Sequence, residues 1–300
     1  MKRITAILLA CCASFAACNR DNEITRIEDD GSDTRCIVFE YTPAPGQFIN
    51  ENFTAATTDE ACAYAEQRLN AETLSYVSLG AFGGRLIVGF GRSIPCGGDG
   101  AYDFEIFGNA FNGASEPGIV WVMQDENGNG LPDDRWYELR GSEWDDDRTV
   151  YDYSVTYHRP ATSADAISWS DNLGGSGEIP RIAQHRQESY YPAWIATDSY
   201  TLSGTRLRTN IYADPDLSTE EGEYWVWDSF GWGYVDNIGT NDNRFRISDA
   251  MNADHTPANL TSIDFIMVQT AVQGASGGLG EVSTEVTRFR DLHYKTGNRL

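Results

Sequence analysis

From Arg35 onward the apolar residues fall in short alternating runs, and Gly, Asn, Asp and Pro fill the spaces between them. Alternation closed by turn formers is the pattern of half-buried β-strands. The first run is Cys36-Ile37-Val38-Phe39-Glu40-Tyr41, ended by Pro43, Pro45 and Gly46. Others cover 73–79, 85–90, 102–107, 118–123, 136–139 and 151–157, then 166–169, 200–208, 224–227, 244–247, 262–270 and 282–286. One stretch departs from this pattern. Over 57–70, Cys62, Ala65 and Leu69 recur at helical spacing, and Thr57 with Glu60 fits a capping box. The pattern predicts an all-β fold, a β-sandwich or jelly roll, with one short helix near the N-terminus packed against the end of a sheet. Strands do not alternate with helices, which argues against a parallel α/β fold. No internal repeat points to a propeller or solenoid. No linker divides 35–295, so a single domain is expected there.

The front of the chain follows different rules. Met1-Lys2-Arg3 precedes the apolar run ITAILLACCASFAAC, which describes an export signal and is too short to cross a membrane as a helix. Phe15-Ala16-Ala17-Cys18 resembles a bacterial lipobox. By that resemblance residues 1–17 are a lipoprotein signal peptide and Cys18 is lipidated. An ordinary secretory signal cut near Cys18 is the alternative. Residues 18–34 are polar and aperiodic, as a flexible tether would be. Asp21 and Glu23 resemble the surface-export tag of lipoproteins in Gram-negative gut anaerobes. The implied address is the outer membrane, lipid-anchored and surface-exposed.

Charge narrows the partners. The formal net charge is −23, and loss of Lys2 and Arg3 with the signal moves it to −25. Such a surface repels nucleic acid and anionic headgroups. Of six cysteines, Cys11, Cys12 and Cys18 lie in the leader or lipobox. Cys36, Cys62 and Cys96 remain, an odd number without zinc spacing. Buried free thiols are the simpler expectation, and one bridge with one thiol left over is the other.

The densest candidate chemistry is Asp125-Glu126-Asn127-Gly128-Asn129-Gly130-Leu131-Pro132-Asp133-Asp134. A calcium ion takes about six to eight oxygens, and this composition can supply many. Asp125, Asn127, Asn129 and Gly130 match EF-hand positions, with the Leu131 carbonyl and Asp133 following, but Trp136 stands where the bidentate Glu belongs. The flanks also alternate like strands. The expectation is a calcium loop joining two strands, with Asp125, Asn127, Asn129, Leu131, Asp133 and Asp134 as ligands. Glu126 and Glu138 are nearby candidates to complete the shell, and a solvated turn is the alternative. Asp103, Glu105, Gly108-Asn109 and Glu116 form a second acidic stretch that strand-edge polarity explains equally well.

Two aromatic clusters, Tyr190–Trp194 and Tyr224–Tyr234, contain rings that could line a core or stack on a ligand. Trp225 and Trp227 share a strand face and are expected inside. Tyr191, Trp194, Trp232 and Tyr234 sit beside Pro or Gly and are the ligand-contact candidates. No catalytic residue stands out. Gly274-Ala275-Ser276-Gly277-Gly278 matches the nucleophile-elbow pattern, yet a strand-like stretch follows where the elbow needs a helix. His158, His185, His255 and His293 are dispersed.

Several runs carry a family resemblance: SLGAFGGRLIVGFGRSI (78–94), YDFEIFGNAF (102–111), EPGIVWVMQDENGNGLPDDRWYELRGSE (116–143), DYSVTYHRP (152–160) and the segment 263–286. Together they resemble a family of cell-surface lipoproteins from Gram-negative gut anaerobes, sometimes carrying a PKD-like module, and no obvious extra module is expected in these residues. The resemblance implies a galactose-binding-like jelly roll supported by calcium, and no enzymatic activity. It also implies association with a TonB-dependent transporter, with cobalamin or a glycan as the captured nutrient. A carbohydrate-active hydrolase and a structural or adhesion protein are the competing expectations.

Overall fold

The computed structural model describes residues 34–294, apart from 52, 54, 99, 186, 221, 240–242 and 277. The expected signal peptide, Cys18 and all of the tether but Thr34 lie outside the described residues. A six-stranded antiparallel sheet runs, in spatial order, Ile37–Thr42, Arg85–Pro95, Ser262–Thr270, Gly118–Met123, Trp136–Leu139 and Ala250–Met251. The strand Ser262–Thr270 sits inside this sheet, and Ile263, Phe265, Ile266, Val268, Gln269 and Thr270 are all buried. A strand covered on both faces needs no alternation, which is why its sequence reads as a nearly continuous apolar run. Its buried Gln269 donates through Nε2 to the Ser203 carbonyl at 2.7 Å. Gly204 is required beside it, because a Cβ there would lie 1.8 Å from Gln269 Oε1.

One face of the sheet carries Val38, Leu86, Val88, Val120, Val122, Ile266 and Val268. The helix Thr58–Leu69 and a three-stranded sheet of Arg244–Phe245, Phe104–Phe107 and Arg288–Asp291 cover it. Each fully buried Val or Leu contributes roughly 1.5–3 kcal/mol, so this layer is a principal source of stability. Ile119 and Trp121 point the opposite way and meet Leu207, Phe230, Tyr234 and Val272. A four-stranded sheet, Ser199–Arg206, Val150–His158, Ile167–Asp171 and Ser176–Ile179, closes over Ala44, Ala81 and Phe82 with Tyr153, Tyr157, Tyr190, Tyr191 and Leu202. The protein is therefore an all-β sandwich with one α-helix among the described residues.

The helix forms as its caps require. Thr57 Oγ1 accepts from Glu60 N at 3.2 Å, and Glu60 Oε2 accepts from Ala56 N at 2.7 Å. Its small buried residues, Ala61, Cys62 and Ala65, allow close approach to the edge strand Ile37–Thr42. Glu66 Oε2 accepts from Val38 N, while Asn70 bonds both the N–H and the carbonyl of Cys36. Those bonds cover a sheet edge that would otherwise stay unpaired.

Several boundaries differ from the pattern. The expected stop at residue 90 is absent, because the ladder shifts register between Ile263 and Phe265 and the strand continues to Pro95 through Gly91 at φ 69°. The run 73–79 shrinks to Val77–Ser78, leaving Leu74 in solvent. Ile211–Thr219 was hidden by its exposed polar residues and by Pro215, which an edge ribbon tolerates. Ser176–Ile179 and Arg288–Asp291 are further strands without an alternating apolar signal. Cys36 and Cys96 are free thiols as expected, but Cys62 is disulfide-bonded, and to neither of them.

Candidate functional site

The loop 125–134 joins Gly118–Met123 to Trp136–Leu139, two neighbouring antiparallel strands. It is a hairpin loop and not a helix–loop–helix. Asp125 folds it: Oδ1 accepts from Gly128 N at 2.8 Å and Asn129 N at 3.2 Å, and Oδ2 accepts from Gly130 N at 2.8 Å. Gly128 and Gly130 take φ of 71° and 74°, which glycine adopts without strain. Asn127 Nδ2 donates to Asp133 Oδ1 and Asp134 Oδ1, and Asn129 Nδ2 donates to both oxygens of Asp133. The two amide groups thus stand between carboxylates where a cation would stand. Their oxygens face the backbone, accepting from Asn129 N and Leu131 N. Leu131 is exposed at the loop. Asp264 roots the loop in the sheet, accepting from Asp125 N at 2.8 Å and from Ser93 Oγ at 2.5 Å. Glu126 stays in solvent. Glu138 turns to Thr205 Oγ1, which donates to it at 2.6 Å, so it does not join the loop shell.

A second acidic centre joins three distant segments. Ligand oxygens of Glu116, Asp236 and Glu285 lie within 4.8 Å of one another. The bridge between Gly118 and Val235, with two 2.9 Å backbone bonds, places Asp236 beside Glu116. The pairing of Glu285–Val286 with Val77–Ser78 delivers Glu285. Asp236 itself sits at φ 54°, a conformation that Asp tolerates. Its Oδ1 accepts from Asn109 N and Ala110 N, both at 2.7 Å, and its Oδ2 accepts from Glu285 N at 2.9 Å. Gly108 must lack a side chain here, since a Cβ would lie 2.4 Å from Asp236 Oδ1. Glu116 Oε1 accepts from Ser283 N at 2.8 Å, and Glu285 Oε1 accepts from Ser78 Oγ at 3.1 Å.

Burial holds all three carboxyls above the ordinary carboxylate range. Their mutual repulsion adds to this for Glu116 and Asp236. A closed space holding three carboxyls requires shared protons or a cation. The chain pattern points to Glu116 and to Gly108-Asn109, but gives no sign of Asp236 or Glu285. Asp103 serves elsewhere, accepting from Gly97 N and Ile247 N and contacting His293. Glu105 pairs with Arg290 at 3.0 Å.

The aromatic candidates divide sharply. Tyr191 is enclosed and donates to the Thr197 carbonyl at 2.9 Å. Trp194 lies against Tyr41 and Phe53 in the main core. Tyr234 is enclosed, and its hydroxyl accepts from Glu143 N at 3.0 Å. These three are packing residues: all are buried, the two tyrosine hydroxyls are bonded inside the protein, and the Trp194 indole N–H is enclosed without an acceptor. Trp232 alone of the four is at the surface, 43% exposed. It borders a groove of about 150 Å³ lined also by Tyr102, Arg140, Arg244, Arg246 and Asp249. A wider hollow of about 760 Å³ beside Arg35 and the helix has no aromatic side chain in its lining. Ser276 is buried in a hairpin strand paired with Gly280–Glu281, which does not fit an exposed nucleophile.

No family model matches the chain, and no curated protein is similar to it.

Proposed function

We propose that this is a lipid-anchored, calcium-stabilised binding protein of the cell surface, which captures a glycan or cobalamin for a TonB-dependent uptake system. The observation that supports binding is Trp232, a large ring held at the surface beside a groove with convergent polar groups. The groove volume, about 150 Å³, is well below the roughly 300–1,000 Å³ of clefts that enclose a whole small molecule. It suits one ring of a longer ligand, so a glycan end fits it better than an entire corrinoid. Calcium is assigned to the loop 125–134, with the centre at Glu116, Asp236 and Glu285 as the second location. The anchor and the transporter partnership rest on the lipobox and the family resemblance.

A hydrolase reading is less well supported. Retaining glycosidases set two carboxyls about 5 Å apart across the substrate. Here the convergent carboxyls are enclosed, and the one carboxylate lining the Trp232 groove, Asp249, is engaged by Arg140 at 3.3 Å.

Calorimetry of the full chain in detergent, against oligosaccharides and cyanocobalamin, tests the binding reading. Trp232→Ala should weaken binding at least about tenfold, the effect of losing a surface aromatic anchor. Absence of heat from every ligand sinks the reading. Cys18→Ala should move the protein from the membrane pellet to the soluble fraction, and unchanged sedimentation with membranes would reject the lipid anchor.

A further inference from the structure

The Trp232 groove has an electrostatic character that sets it apart from the rest of the molecule. The chain carries 45 acidic residues against 22 Lys and Arg. Around this groove the balance reverses, with Arg140, Arg244 and Arg246 facing the single carboxylate Asp249. Asp249 reaches Arg140 Nε at 3.3 Å and Arg246 Nη1 at only 3.8 Å, beyond hydrogen-bonding distance. Three arginines elsewhere are matched closely, Arg85 with Glu40, Arg208 with Glu143 and Arg290 with Glu105, at 2.7–3.0 Å, although the Arg290 Nε is also enclosed without an acceptor. Among the described residues Arg244 has no such carboxylate, and Arg246 Nε is enclosed without an acceptor. Donors left over in so acidic a chain point to an acceptor supplied from outside.

The cations are also held in place. Arg244 and Arg246 flank the buried Phe245, so strand alternation projects both from one face. Both guanidiniums lie over the Tyr102 ring, at 4.6 Å and 4.1 Å from its centroid. Such stacking fixes the planar fork that binds oxyanions through paired N–H donors. The Trp232 turn is fixed against the same wall. Ser142 N donates to the Trp232 carbonyl at 3.0 Å, and Gly231 N donates to Ser142 Oγ at 3.0 Å. Gly233, at φ 89°, comes so close that a Cβ would lie 2.5 Å from Gly141 Cα. The Trp232 backbone and the guanidiniums therefore stand at set positions before any ligand arrives.

We infer that this groove recognises an oxyanion carried next to a sugar or other flat ring: a carboxylate, sulfate or phosphodiester seated on Arg244 and Arg246 while the ring rests on Trp232. This rests on the binding reading above and names the chemistry of its ligand. Charge reversal inside a repulsive surface would also exclude ligands whose negative charge lies far from the ring.

Calorimetry of the full chain in detergent separates the sources, using an oligogalacturonate, a sulfated oligosaccharide, cyanocobalamin with its phosphodiester, and a neutral oligosaccharide of matched length. At least one anion-bearing ligand should bind about tenfold or more tightly than the neutral one. Its affinity should fall as ionic strength rises. Arg246→Gln should weaken it by a similar factor. Should that variant fold poorly, the exposed Arg244→Gln decides. Equal affinity for the neutral oligosaccharide, or an unchanged affinity in Arg244→Gln and Arg246→Gln, overturns the inference while leaving ligand binding intact. Binding of no ligand at all overturns both.

Discussion

Glu138→Gln should flatten the pH dependence of stability and raise the melting temperature above pH 8. Glu138 is almost wholly enclosed on Trp136–Leu139, and its one polar partner is the Thr205 hydroxyl. Burial pushes its carboxyl up to about 8, against which the Thr205 bond is a smaller, opposing influence. In the unfolded chain the same group titrates near 4.5. Between those values the folded protein keeps a proton that the unfolded chain has released. Stability is therefore greatest below the unfolded value, declines by about 1.4 kcal/mol per pH unit through this window, and levels off above pH 8. Summed across the window the loss is on the order of 4–5 kcal/mol. Glutamine keeps an oxygen for Thr205 and cannot ionise. The variant should match the wild type near pH 4.5 and exceed it by roughly 10 °C at pH 9, with about 2–4 °C per kcal/mol for a chain of this size. Parallel melting profiles across that range would contradict the assignment. Glu281, enclosed and pushed up to about 7 by burial, adds to the same slope in both proteins.

Chelation is the second large effect. EDTA at neutral pH should lower the melting temperature, and excess calcium should restore it. A cation present at about a hundred times its Kd stabilises the native state by about 2.7 kcal/mol, or roughly 5–10 °C here. The two locations differ in what the ion would relieve. In the loop it would displace the amide hydrogens of Asn127 and Asn129 from Asp133 and Asp134. In the interior it would neutralise carboxyls within 4.8 Å of one another, where each like-charge pair costs on the order of 4 kcal/mol at an effective dielectric constant near 20. Asp133→Asn should abolish the calcium response if the loop binds, and Asp236→Asn should abolish it if the interior centre does. A melting temperature indifferent to both EDTA and calcium would remove calcium from the account.

Short apolar and aromatic runs closed by turn formers made strands legible even where both faces are buried. Trp136–Leu139 and Gly118–Met123 have the bounds that alternation and turn residues indicate. The capping pair Thr57 and Glu60 marked the helix start directly. Long-range placement was not legible. Glu116, Asp236 and Glu285 come together only through the Gly118–Val235 bridge and the pairing of Val77–Ser78 with Glu285–Val286. No local spacing encodes either contact. The aromatic candidates failed for a related reason. A neighbouring Pro or Gly marks a turn, but it does not say whether the turn faces out. Tyr191 turns inward under Arg159, whose guanidinium lies 4.3 Å from its ring centre, while Trp232 turns outward. The arginine groove has no local signature in the sequence, because Tyr102, Arg140 and Arg246 are far apart along the chain.

The position of Ser262–Thr270 also governs the order in which the molecule can be built. It lies between Arg85–Pro95 and Gly118–Met123, yet it is made long after both. Until it arrives, each of those strands presents a row of unpaired amides and carbonyls, a template for pairing with other chains. A chain emerging N-terminus first must therefore hold this six-stranded sheet open until residues 262–270 have appeared. Such late closure of distant pairs is characteristic of slow-folding, high-contact-order β topologies. The sheet at the heart of the fold is thus completed only after Ser262–Thr270 has emerged, and the interior acidic centre, which needs Glu285, later still.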